Sequence, residues 1–250
     1  MPIAKYSLGS AAEIFPRSWL RAARLIVAGS IALAGSMAVR SGLAQPAVSV
    51  QEVVAAPFEK EILAFEASDK TNPPPQGAVV FVGSSSIRLW KTLAADFPKH
   101  QVVNRGFGGS HISDSIQYAA RIVIPYRPRL VVFYAGGNDI HSGKTPERVL
   151  ADYKTFVAKV QAALPETPIA YISIAGNPAR WEEVERVKEA NRLIEAQVRG
   201  DARLRFINAF PRMLGADGQP RPEIFSADRL HMNAEGYRLW KEIVAPYLEP

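Results

Sequence analysis

The 250-residue chain has no cysteine. That excludes a disulfide framework, thiolate metal sites, iron–sulfur clusters and a cysteine nucleophile, and leaves the cellular compartment open. Histidine is scarce, with only His100, His111, His141 and His231 to supply imidazole chemistry. Long apolar runs are lacking as well. Leu25–Val39 is free of charge for fifteen residues, short of the roughly 20 that a spanning helix needs. What is present, 48% apolar and 22% charged residues, is ordinary globular composition and excludes wholesale disorder or collagen-like repeats.

The net charge of +6 is unevenly placed. Lys5, Arg17, Arg21, Arg24 and Arg40 face the single acid Glu13 within residues 1–44, and residues 45–250 hold 25 basic against 23 acidic side chains. The near-neutral remainder removes the main reason to propose a nucleic-acid partner. Arginines ahead of Leu25–Val39 and the small residues Ser41-Gly42-Leu43-Ala44 after it read as a secretory signal peptide spanning 1–44. An uncleaved membrane anchor is the competing reading. With no cysteine after the apolar run and no adjacent arginine pair, lipoprotein and twin-arginine signals are excluded. Export to the periplasm or medium is therefore expected, with no lasting membrane contact once the segment is removed.

After a loose stretch, 45–57, short apolar runs alternate with amphipathic segments through 58–250. Ala78–Val82, Val102–Val103, Leu130–Tyr134, Ile169–Ile174 and Arg205–Ile207 read as strands. Helices are predicted over Phe58–Ser68, Ile87–Phe97, Ser113–Pro125, from Thr145-Pro146 to Leu164, over Glu182–Arg199 and over Ala234–Tyr247. The alternation predicts a parallel sheet covered on both faces, a three-layer α/β/α sandwich forming one domain.

In such sheets ligands bind beyond the carboxyl ends of the strands. The loops there carry Gly83-Ser84-Ser85-Ser86, Asn104–Ser110, Gly136-Gly137-Asn138-Asp139 and Asp228-Arg229-Leu230-His231. The serine cluster alone fits a helix cap or an anion cradle, although the G-x-x-x-x-G-K, G-x-G-x-x-G and G-x-S-x-G spacings are all missing from it. Asp228 three residues before His231 changes the reading. A serine needs a base to take its proton, and the base needs a carboxylate to fix its tautomer. Gly109, the Asn138 side chain and the Ser85 backbone N–H are candidate donors to an oxyanion. Asp139 and Arg105 are assigned to loop structure, and Trp90, Trp181 and Trp240 to the core.

At these residues the chain resembles the SGNH hydrolases, the GDSL-type esterases and lipases. Gly83-Ser84-Ser85 is similar to that family's G-D-S block, Asn104–Ser110 to its glycine block, Gly136–Asp139 to G-x-N-D and Asp228–His231 to D-x-x-H. The one departure is Ser84 in place of the usual Asp. The resemblance implies a flavodoxin-like five-stranded sheet in the order 2-1-3-4-5. It also implies Ser85 as nucleophile with His231 and Asp228, and an oxyanion hole from Ser85, Gly109 (or Gly108) and Asn138. No metal or organic cofactor is called for. The expected activity is hydrolysis of short-chain or acetyl esters of a small molecule or glycan. An O-acyltransferase using the same site, or a non-catalytic glycan-binding module, are the alternatives.

Overall fold

Strands whose every residue is apolar can only lie between two covering layers, and the chain builds that arrangement. A computed structural model describes residues 56–249; the predicted signal or anchor segment, and the loose stretch up to residue 55, lie outside them. Helix α1 (Glu59–Thr71) precedes strand β1 (Val79–Gly83). Two single-turn helices, α2 (Ser85–Arg88) and α3 (Leu93–Asp96), lead to β2 (Val102–Gly106). Helix α4 (Ile112–Ile122) comes before β3 (Leu130–Tyr134), and α5 (Gly137–His141) and α6 (Pro146–Ala163) before β4 (Ile169–Ile172). Helix α7 (Val184–Val198), β5 (Leu204–Ile207) and α8 (Ala234–Val244) follow.

The sheet is wholly parallel in the order β2-β1-β3-β4-β5, as the resemblance implied. Strand side chains alternate between faces. Val80, Val82, Val131, Phe133 and Tyr171 enter a core with α1, α4, α6 and α7. Val79, Phe81, Leu130, Val132 and Ile172 enter a second core with Trp90 and Leu93 on one side and Leu239, Trp240 and Val244 of α8 on the other. Trp90 and Trp240 are fully buried and pack edge to face at 6.0 Å, so both belong to the core as expected; Trp181 is only half-buried.

Two predicted helices are altered by their neighbours. Ile87–Phe97 is not continuous: the Ile87 carbonyl accepts from Trp90 N at 3.1 Å, a tighter turn, and from Asn104 Nδ2 of β2 at 2.7 Å. Gly106 of β2 also runs so close that a Cβ there would lie 2.2 Å from Arg88 N. Helix α7 starts at Val184 rather than Glu182, after a 3₁₀ segment, Pro178–Glu183, in which Arg180 leaves helical geometry (φ −133°, ψ 34°). Strand β2 runs three residues beyond Val103, and β4 stops at Ile172, where Ser173 N turns to the Ile207 carbonyl. Thr145 caps α6 as predicted, its hydroxyl accepting from Arg148 N at 3.3 Å.

Arg105, 8% exposed on β2, pairs with Asp69 of α1 and donates to the Tyr126 hydroxyl at 2.9 Å, with its guanidinium over the Phe65 and Tyr126 rings. Burial, then the nearby Asp69 carboxylate, push the Tyr126 phenol up to about 12. The group anchors the first helix to the sheet edge, in keeping with the structural role assigned to Arg105. Removing one member of such a buried pair strands the other charge. Arg105→Ala should therefore lose about 3 kcal/mol of stability in urea unfolding, against less than about 0.5 kcal/mol for the exposed Arg199→Ala.

Candidate active site

The position of Ser85 is set by backbone. Strand β1, between β2 and β3, ends at Gly83 (φ 140°), where a Cβ would fall 1.9 Å from the Tyr134 carbonyl oxygen. Only glycine fits. The ladder continues one step beyond, with Ser84 N donating to Tyr134 O at 3.0 Å and Phe107 N to Gly83 O at 2.9 Å. Ser84 is the buried N-cap of α2, and its carbonyl accepts from Ile87 N and Arg88 N. Ser85 is thereby the first residue of a helical turn at the carboxyl edge of the sheet, and its own N–H has no protein acceptor among the described residues.

Of the three adjacent serines, only Ser85 meets the imidazole. His231 Nε2 lies 2.9 Å from Ser85 Oγ, across 146 residues of chain. Asp228 Oδ2 lies 2.7 Å from His231 Nδ1, and its Oδ1 accepts the N–H groups of Leu230 (3.0 Å) and His231 (2.9 Å). An ionised carboxylate only accepts hydrogen bonds, so it fixes the proton on Nδ1 and leaves the Nε2 lone pair facing the hydroxyl. The His231 side chain, then the His231 and Leu230 amides, hold the Asp228 carboxyl down to about 2. The loop is pinned from below. Ser226 N donates to His231 O, Phe225 bridges Met232, and Asn233 caps α8 by accepting from Gly236 N at 3.1 Å. Tyr237 of α8 donates to the Ser86 carbonyl at 2.9 Å, tying the histidine's helix to the serine's.

Asn138 opens α5, and its carboxamide is bonded at both ends. Nδ2 donates to Ser110 O at 3.1 Å and Oδ1 accepts from Arg180 Nη1 at 3.1 Å. One Nδ2 hydrogen remains. Gly109, next to Ser110, has φ 74° with open space where a Cβ would be, and its N–H has no protein acceptor among the described residues. Gly108 is closed off instead by the Arg88 guanidinium, 2.8 Å from the equivalent position. Ser85, Asn138 and His231 share one small cavity of about 40 Å³ with Tyr134, Arg180 and Met232; Gly109 sits beside it, outside its lining. A serine hydroxyl, an imidazole acceptor, a carboxylate and unpaired N–H donors in this order can deprotonate a nucleophile and receive a developing oxyanion.

Residues 77–239 match the model of the GDSL-like Lipase/Acylhydrolase family. The chain belongs to that family. It is 27% identical over 186 residues to human platelet-activating factor acetylhydrolase IB subunit alpha1, covering 69% of this chain and 74% of that protein. A GDSL-like lipase from Bacteroides thetaiotaomicron superposes with a TM-score of 0.65 at 20% identity, over 74% of this chain and 96% of the other. A carbohydrate esterase family 3 protein from Talaromyces cellulolyticus gives 0.56 at 16% identity, over 68% and 95%.

Within this GDSL-like acylhydrolase, Asp139 is a structural residue, as assigned. Fully buried, it accepts from Ile112 N at the start of α4 (3.1 Å) and pairs with Lys144 (2.7 Å), which also pairs with Asp152 (2.8 Å). Burial opposes the Lys144 charge, but the two carboxylates win and raise its pKa above the usual lysine range. Nothing in the local sequence marks Arg180, because its contact with Asn138 spans 42 residues and follows no local pattern. His141 does not line the cavity and pairs with Glu183. Among the described residues no group of three or more histidine or acidic side chains is gathered as metal ligands would be.

Because its pKa is depressed, the Asp228 carboxylate contributes its stabilising bonds above the ordinary carboxyl range and loses them as pH falls through about 2. A carboxyl ¹³C NMR titration should place Asp228 near that value. His231→Ala, which removes the largest cause, should move it up toward the unperturbed value of about 3.9.

Proposed function

We propose that this acylhydrolase cleaves carboxylic esters through an acyl-enzyme, with Ser85 as nucleophile, His231 as base and Asp228 holding the imidazole. The observation that carries the reading is the Ser85–His231–Asp228 chain of hydrogen bonds at 2.9 and 2.7 Å. Ser85 Oγ attacks the ester carbonyl as His231 Nε2 takes its proton. The Ser85 and Gly109 N–H groups and the Asn138 side chain receive the oxyanion. Collapse expels the alcohol, which takes the proton from His231. A water, deprotonated by the same nitrogen, then attacks the acyl-serine and releases the carboxylic acid with Ser85 restored.

A small acyl group, acetyl above all, is the proposed substrate half. The cavity that Ser85 and His231 share is small, about 40 Å³, which favours a short acyl group. The name of the human acetylhydrolase agrees with a small acyl group, and beside it the name of the Talaromyces carbohydrate esterase leaves the alcohol half, lipid or sugar, to experiment. The pattern of residues 1–44 supports export, and we place the activity in the periplasm or medium.

Residues 45–250 should hydrolyse p-nitrophenyl acetate faster than longer-chain p-nitrophenyl esters, and a rate rising with chain length would overturn the acetyl assignment. Ser85→Ala should abolish turnover. Asn138→Ala should lower kcat by about 10²–10³. If an added sugar alcohol captured the acyl group in preference to water, the enzyme would be a transferase instead.

A further inference from the structure

The Asn138 carboxamide can act as an oxyanion donor only in one of its two orientations. Turned over, its NH₂ would face the Arg180 guanidinium and its oxygen the Ser110 carbonyl, setting donor against donor and acceptor against acceptor. We infer that Arg180 is a positioning residue of the oxyanion hole. It holds Asn138 Oδ1 so that the free Nδ2 hydrogen points to the bound carbonyl, and its charge strengthens that donor. The inference rests on the ester-hydrolase reading above.

Three observations converge on it. Arg180 lines the cavity with Ser85 and His231. Its side-chain bonds, among the described residues, go to Asn138 Oδ1 at 3.1 Å and Gly137 O at 3.4 Å, both on the first turn of α5. Arg180 enters no ion pair among the described residues, and Asp228, Glu183 and Asp139 are engaged by His231, His141 and Lys144. The guanidinium is therefore a half-buried charge without an anionic partner, spending its hydrogen bonds on the donor turn. A cation bonded to an amide oxygen draws electron density away from the nitrogen and makes the N–H a better donor. The backbone is shaped to place it there: Asn177 Oδ1 accepts from Arg180 N at 3.0 Å, and Arg180 interrupts the 3₁₀ turn.

The test is a double-mutant cycle on p-nitrophenyl acetate, with melting temperature recorded for every variant. Arg180→Ala should lower kcat about 10- to 50-fold and leave KM within about threefold, since the effect belongs to the transition state. Arg180→Gln keeps a donor without the charge, should lose about 3- to 10-fold, and carries the test if the alanine variant does not fold. In an Asn138→Ala background either substitution should cost less than about twofold. Equal losses in both backgrounds, or no loss, would overturn the inference. So would a rise in KM confined to an anionic ester such as p-nitrophenyl succinate, which would make Arg180 a substrate anchor. Turnover surviving in Ser85→Ala would instead defeat the ester-hydrolase reading itself, whatever Arg180 does.

Discussion

Five parallel strands must end along one edge, and in this protein the level at which they end is set by a contact that tolerates no side chain. Gly83 lies against the Tyr134 carbonyl so closely that the ladder between β1 and β3 can run to its last residue and one amide further, through Ser84. Gly83 and Gly106 are register partners on the other side. The backbone therefore delivers Ser85, the Gly108-Gly109 loop and the α5 turn to one level. Ser85, Gly109 and Asn138 each stand within a few residues of the end of a strand, which is how a site gains positional accuracy, whereas Asp228 and His231 come from the segment between β5 and α8.

Rigidity around the site comes from buried ions placed just beneath or beside it. Asp139 joins the start of α4, and so the loop carrying Gly109, to the turn carrying Asn138, with Lys144 shared between Asp139 and Asp152 and Arg148 on Asp152 completing the charge balance. Asn138 Nδ2 and Ser110 O make a second tie between the same two loops. On the opposite flank Tyr237 links the helix after His231 to the turn that holds Ser85. Donors that are already oriented need not reorganise when charge develops, which is where most of the catalytic benefit of such a hole lies. The reacting groups themselves are only partly buried, the His231 side chain being 26% exposed. The edge is therefore firm in its framework and open to substrate.

Fold and electrostatics also divide the labour between arginines. Arg105 is sunk in the sheet edge and balanced by Asp69, serving the attachment of α1. Arg180 lines the cavity with no carboxylate paired to it among the described residues. The same residue type is a fastener where a carboxylate neutralises it and an influence on chemistry where none does.

What the sequence by itself determined was local. Continuous short apolar runs marked the strands because strands covered on both faces admit little else, and Thr145-Pro146 marked a helix start because capping is a property of adjacent residues. The Asp228–His231 pairing was legible for the same reason, since a carboxylate three residues before a histidine reaches its imidazole within a single turn. Gly83-Ser84-Ser85 and the G-x-N-D block carried the family resemblance, and with it the strand order. Tertiary structure decided the rest. Which serine of three faces His231 depends on a contact across 146 residues. The break in Ile87–Phe97 is met by Asn104 of the neighbouring strand, and the orientation of Asn138 depends on Arg180, 42 residues away. Neighbours in sequence constrain one another through a few dihedral angles, whereas these contacts exist only once two packed cores have set the distance between elements.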